Sequence, residues 1–150
     1  ELTNCKITDD GLAALSTLTA MVELRLSWCK QLTDAGIEHL KPFEYLRVLE
    51  LWQIGAAITD KTLFLVAENH RRVRTMNLEG SAITQKGLES VAARLPNLER
   101  IDINNCEHLS FAQCEKFPFT AGQLRDPNEK MPTSDWKGIM MSIIPEKEED

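Results

Sequence analysis

The sequence has 150 residues, 43% of them hydrophobic and 27% charged, which is enough apolar material for one packed domain and too much for a disordered chain. With 17 Lys and Arg against 23 Asp and Glu, the net charge of -6 opposes the phosphate-neutralising surface that nucleic acid requires. The longest strongly apolar stretch, Ile139 to Ile144, falls far short of the roughly 20 residues that cross a bilayer, so neither a nucleic-acid partner nor a membrane span is expected.

Along the chain one pattern keeps returning. Ile7-Thr8-Asp9-Asp10-Gly11-Leu12 comes first. An L-x-x-L-x-L-x-x-C frame follows at Met21, Leu24, Leu26 and Cys29, and then Leu32-Thr33-Asp34-Ala35-Gly36-Ile37 repeats the opening motif. The frame recurs at Leu46, Leu49, Leu51 and Ile54, at Val73, Met76, Leu78 and Ser81, and at Leu98, Ile101, Ile103 and Cys106. The motif recurs with it, from Ile58, Ile83 and Leu109. The hydroxyl residue of the motif falls at 8, 33, 59, 84 and 110, so the steps are 25, 26, 25 and 26, a period too regular for chance.

Each period predicts a strand, a turn and a helix. Leu24-x-Leu26 alternates as a short strand does, whereas Gly36-Ile37-x-x-Leu40 has helical spacing. Thr33, Thr59 and Thr84 stand where a hydroxyl accepts an orphan N–H at a helix start, and Asp34 and Asp60 put negative charge beside the positive end. Ser110 and Gln113 complete a capping box. Strands of successive repeats stack about 4.8 Å apart and helices need roughly 10 Å, so the stack curves with its strands inside: an α/β solenoid with a parallel sheet on the concave face and helices on the convex face. The expected core combines the strand leucines with Leu12/Leu15, Ile37/Leu40, Leu63/Val66 and Leu88/Val91, and with Leu18, Phe43 and Leu95 at the return turns. His70 occupies the fourth return position and reads as a partly exposed packing residue.

The frame, and Cys29 to Ile37 in particular, resembles the cysteine-containing leucine-rich repeats typical of F-box LRR proteins. The resemblance covers about residues 1–116 and departs from the pattern at Ile54, Ser81 and Gln85. It implies a non-enzymatic protein-interaction module, the LRR part of a ubiquitin-ligase substrate receptor, in which an upstream F-box recruits a Skp-family adaptor and the repeats select the client. A rival reading makes the chain an architectural subunit of a large assembly, as similar repeats are in some mitochondrial or ciliary complexes.

The four cysteines do not demand disulfides. Cys5, Cys29 and Cys106 share one repeat position and Cys114 replaces an apolar residue, so all four read as packing groups in a reduced, intracellular protein. No metal site, cofactor site or catalytic constellation emerges, because nothing pairs the Thr-Asp motifs with a nucleophile, a histidine or a phosphate-binding glycine loop. Helix capping explains those motifs. Arg71, Arg72 and Arg74 read as a solvated return loop.

Strand side chains alternate, so the residues between the core positions should line the concave face: Glu23, Arg25 and Ser27; Val48, Glu50 and Trp52; Thr75, Asn77 and Glu79; Arg100, Asp102 and Asn104. The partner-binding candidates on this face are Arg25, Glu50, Trp52, Asn77, Glu79, Arg100 and Asp102, with Arg25 beside Glu50 balancing charge between strands. Trp52 reads either as an interface anchor or as a cover over the neighbouring repeat, and Trp28 as a residue of the adjoining rim.

At the two ends the pattern changes. Leu2 matches Leu26, so half a repeat is expected to be missing before it, supplied by a longer chain or a companion segment. Residues 117–150 read as an irregular extension, with a short helix near 134–144 placing Trp136, Met140 and Ile143 on one face, either over the last repeat or against a partner.

Overall fold

The computed structural model describes Leu2 and residues 4–110. The expected tail helix with Trp136, Met140 and Ile143, the Cys114 position and the Gln113 half of the capping box lie outside the described residues.

Four three-residue strands, β1 (Glu23–Arg25), β2 (Val48–Glu50), β3 (Thr75–Asn77) and β4 (Arg100–Asp102), form a parallel sheet in sequence order. The register places equivalent repeat positions side by side, Leu24 with Leu49, Met76 and Ile101. Ladder bonds continue beyond these strands, from Leu2 N to Arg25 O at 2.9 Å and from Trp28 N to Trp52 O at 3.1 Å. On the other side lie α1 (Asp9–Leu15), α2 (Asp34–Ile37), α3 (Asp60–Asn69) and α4 (Gln85–Arg94). The second helix is the shortest and tightens into a 3-10 turn at Glu38–Leu40, because Pro42 has no N–H to return to the Glu38 carbonyl.

Thr33, Thr59 and Thr84 cap their helices as expected, and Thr8 caps α1 in the same way, each with extended backbone and a hydroxyl accepting a first-turn N–H. The aspartates do something the capping argument does not contain. Asp9 accepts from Thr33 N and Thr33 Oγ1 in the next repeat, at 2.9 and 2.7 Å. Asp34 does the same for Thr59, at 3.0 and 2.5 Å, and Asp60 for Thr84, at 2.7 and 2.6 Å. Each aspartate thus staples its helix start to the next. The glycines of the motif make room for it, since a β-carbon on Gly36 would collide with the Asp9 carboxylate and one on Gly87 with that of Asp60. Where the third repeat has Thr62 instead of glycine, its hydroxyl turns the crowding into a further bond to Asp34, at 2.7 Å. Gln85 breaks the series and bonds Glu89 within its own helix.

Between the layers, Leu24, Leu26, Phe43, Leu49, Leu51, Leu63, Met76, Leu78, Leu88 and Ile101 belong to one continuous buried core. Four expectations need correction. Leu18 is 51% exposed, whereas Phe43, His70 and Leu95 at the same repeat position are buried, because Leu18 lies in the first of the described repeats, on the outer side of the stack. Cys5 is exposed for the same reason. His70 is fully buried rather than partly exposed, and neither ring nitrogen has a hydrogen-bond partner among the described residues. Ser27 is buried rather than outward-facing, its hydroxyl without a partner among the described residues. The buried cysteines have a polar use as well as a packing one: Cys29 Sγ donates to Leu2 O at 3.0 Å and Cys106 Sγ to Leu78 O at 3.3 Å, each reaching the strand end of the preceding repeat.

Candidate functional site

The sheet presents three rows of side chains between the core positions. Glu23, Val48, Thr75 and Arg100 form the first, and Arg25, Glu50, Asn77 and Asp102 the second. The third row lies past the strand ends, where Leu51 N donates to Asn77 O and Gln53 N to Glu79 O, so that Trp52 and Glu79 are ladder neighbours. Ser27 and Asn104 flank them.

All seven residues expected to meet a partner, Arg25, Glu50, Trp52, Asn77, Glu79, Arg100 and Asp102, lie on this sheet face and are partly accessible. The predicted pairing of Arg25 with Glu50 is present, with Nε donating to Oε1 at 3.0 Å, and Glu23 takes a second bond from the same guanidinium. Held by two carboxylates, Arg25 has its pKa raised, the Glu23 hydrogen bond being the largest cause. Glu79 differs: its hydrogen bonds come from amides, Asn105 Nδ2 at 2.8 Å and Gln53 Nε2 at 3.4 Å. Burial first, and the neighbouring Asp102 charge as well, push its carboxyl above the usual carboxylate range against the opposing pull of those amides.

Trp28 and Trp52 meet edge to face, ring centroids 5.6 Å apart and planes at 76°. The sequence separates them by one repeat, and only the sheet register brings them together. Lys30 Nζ stands 5.7 Å from the centre of the Trp28 ring. This corner is built on unusual backbone. The residue that follows each third-row position is left-handed: Asn4, Trp28, Gln53, Gly80 and Asn105 have φ of 57, 65, 59, 74 and 56°. Asparagine and glycine suit that conformation, whereas a tryptophan or glutamine there is strained. A five-fold recurrence at this offset, three times with Asn or Gly, was a readable turn signal that the strand-and-helix reading passed over.

Elsewhere the surface is quieter. Arg72 lies over the Tyr45 ring at 4.8 Å and Arg74 bonds Glu99 at 2.8 Å, so two members of the basic return loop have local partners. Among the described residues no group of three or more His, Cys, Asp or Glu side chains could hold a metal ion, and no helix is long and apolar enough to cross a membrane.

A family model described as "Leucine Rich repeat" matches residues 1–16 and 18–41, and the parallel strand–helix stack extends the same architecture through β4. The chain has a leucine-rich-repeat fold. This LRR chain is 38% identical over 56 residues to the Antagonist of mitotic exit network protein 1 of Candida albicans, which covers 37% of the chain and 8% of that protein. It is 29% identical over 111 residues to the Putative F-box/LRR-repeat protein 23 of Arabidopsis thaliana, covering 69% of the chain and 24% of that protein. The LRR chain therefore spans a quarter or less of the length of these two relatives. Among solved structures, the tropomodulin C-terminal domain of Caenorhabditis elegans matches with a TM-score of 0.52 and 15% identity over 66% of this chain and 65% of that one, a likeness of fold. The repeats resemble those of F-box LRR proteins.

Proposed function

We propose that these repeats are the client-selecting part of a ubiquitin-ligase substrate receptor, a non-enzymatic module working in a reducing intracellular compartment. The observation that carries this reading is the similarity to the Arabidopsis F-box/LRR relative, which runs through 69% of the chain rather than one repeat. The geometry supports it. Residues that recur from repeat to repeat are consumed in capping, stapling and packing, while the sheet face carries a different residue at nearly every position, as recognition of one particular surface requires. An F-box elsewhere in the protein would recruit the Skp-family adaptor.

Cross-linking mass spectrometry on the native full-length protein from its source tests the proposal. The expected result is a Skp-family adaptor linked outside the repeats and substoichiometric clients linked near Trp52. Stoichiometric links from the region of Trp136 to fixed subunits, without an adaptor, would replace the proposal with the architectural role. Turnover of a substrate by the purified chain would refute the non-enzymatic part.

A further inference from the structure

Four observations converge on the corner of the sheet face where β1, β2 and β3 end. The first is aromatic. Trp28 and Trp52 pair edge to face, and Trp28, at 39% exposed, is among the most accessible large apolar side chains of the described residues. An indole face attracts cations through its quadrupole, and Lys30 already stands over Trp28.

The second is charge. Among the described residues of this face and its Trp28 rim, the four carboxylates of Glu23, Glu50, Glu79 and Asp102 outnumber the three cations of Arg25, Lys30 and Arg100. Arg25 is engaged by Glu23 and Glu50 together. Glu79, the ladder neighbour of Trp52, takes its bonds from the neutral amides of Asn105 and Gln53.

The third is strain. Trp28 and Gln53 occupy the left-handed turn position that Asn4, Gly80 and Asn105 occupy elsewhere, and these two adjacent repeats flank the aromatic corner. A left-handed conformation is costly for an L-residue with a large side chain, so stability alone favours glycine or asparagine at both positions. Strain of this kind persists where function selects the side chain. The fourth is contrast: the corresponding corner between β3 and β4 has Gly80 and Asn105, residues that suit the turn, and no aromatic side chain at Glu79 or Asn104.

We infer that the Trp28–Trp52–Glu79 corner is a subsite for a cationic side chain, an arginine or lysine of an extended client peptide, which stacks on the Trp52 indole and hydrogen-bonds the Glu79 carboxylate. The subsite rests on the reading of the sheet face as a client-binding surface and names the chemistry it selects. Complementarity of charge decides the occupant. An acidic peptide meets surplus carboxylates there, and a purely apolar one leaves Glu79 further desolvated without a counter-charge.

The test is selection of a random 12-residue peptide display library on the purified full-length protein without adaptor, followed by titration of the enriched peptides by fluorescence anisotropy. Enriched peptides should carry an Arg or Lys whose replacement by Gln weakens binding about tenfold, the equivalent of 1.4 kcal/mol. Glu79→Gln, nearly isosteric, should weaken the same peptides comparably, and Trp52→Leu about fivefold. Glu79→Lys should transfer preference to peptides with Glu at the basic position. Trp28→Asn relieves the turn strain while removing the stacked ring, so it should weaken binding with its urea midpoint maintained. Three results each overturn the inference: no enrichment over an unrelated LRR chain, enriched peptides without a required basic residue, or unchanged affinity in Glu79→Gln and Trp52→Leu. Because the assay contains no adaptor, it can fail while the ligase-receptor reading stands, and the cross-linking experiment can fail while the subsite stands.

Discussion

The two edges of each repeat obey different rules. Along the helix starts, one small set of residues recurs: threonines cap, at three junctions an aspartate reaches forward to the next threonine, and a glycine leaves the space for it at two of these while Thr62 bonds the aspartate at the third. Along the strand ends, the same backbone positions hold Asn4, Trp28, Gln53, Gly80 and Asn105, although all five share one left-handed geometry. Where the side chain serves the fold, repetition of structure brings repetition of residue. Where the fold tolerates a poor residue at a demanding position, as at Trp28 and Gln53, the residue changes from repeat to repeat, which is what the proposed recognition role requires.

Breaking the regular edge should therefore damage stability, and breaking the irregular one should damage recognition. The largest loss is expected from Asp34→Ala, which removes three acceptor contacts and leaves the Thr59 N–H without its partner. About 3 kcal/mol should disappear from the urea unfolding free energy, and a loss under 1 kcal/mol would mean that the staple is ornamental. Next comes Gly36→Ala. Its new methyl meets the Asp9 carboxylate, with the Asp9 Cα only 3.1 Å away, and about 2 kcal/mol of destabilisation should follow, whereas Gly55→Ala, which has nothing nearby but a φ of 100°, isolates the purely conformational cost.

His70 tests the return turns, where the fold also repeats. Burial holds its imidazole below the usual histidine range and outweighs the weak opposite effect of the Phe43 carbonyl. The unfolded chain then binds a proton more readily than the native one, so stability is full above about pH 6.5 and falls as pH drops from there towards the depressed native value. His70→Leu, with the residue found at the equivalent Leu95 position, should remove that contribution to the slope and add about 1 kcal/mol at neutral pH, because a buried polar ring with no well-aligned hydrogen bond among the described residues is exchanged for an apolar side chain. Denaturation profiles at pH 5.5 and 7.5 read both effects. The smallest change is expected on the sheet face, where Arg25→Met breaks two partly exposed ion pairs and should move stability by only about 0.5 kcal/mol. A cost above 2 kcal/mol would turn Arg25 into a framework residue and erase the contrast between the edges.

Much of the framework was legible because a period of 25 or 26 residues converts one reading into five. The caps at Thr33, Thr59 and Thr84 and the Arg25–Glu50 pair follow from local rules applied repeatedly. The Asp staples did not follow, although their residues were in plain view, because capping already supplied a sufficient local reason for each aspartate and the second partner lies a whole repeat away. Ser27 and Leu18 went the other way: strand alternation makes Ser27 outward and the return position makes Leu18 inward, yet their burial depends on what stands beside each one.

By itself the sequence determined the strand–turn–helix unit, its period, the parallel stacking and, Ser27 apart, the list of side chains on the sheet face, since each depends on spacing within a repeat or on identity between repeats. Tertiary structure alone decided which of those side chains meet. Trp28 with Trp52, Asp34 with Thr59 and Thr62, and Glu79 with Gln53 and Asn105 are contacts between neighbouring repeats, and their partners come within reach only when the parallel register brings residues about 25 positions apart onto adjacent turns of the solenoid.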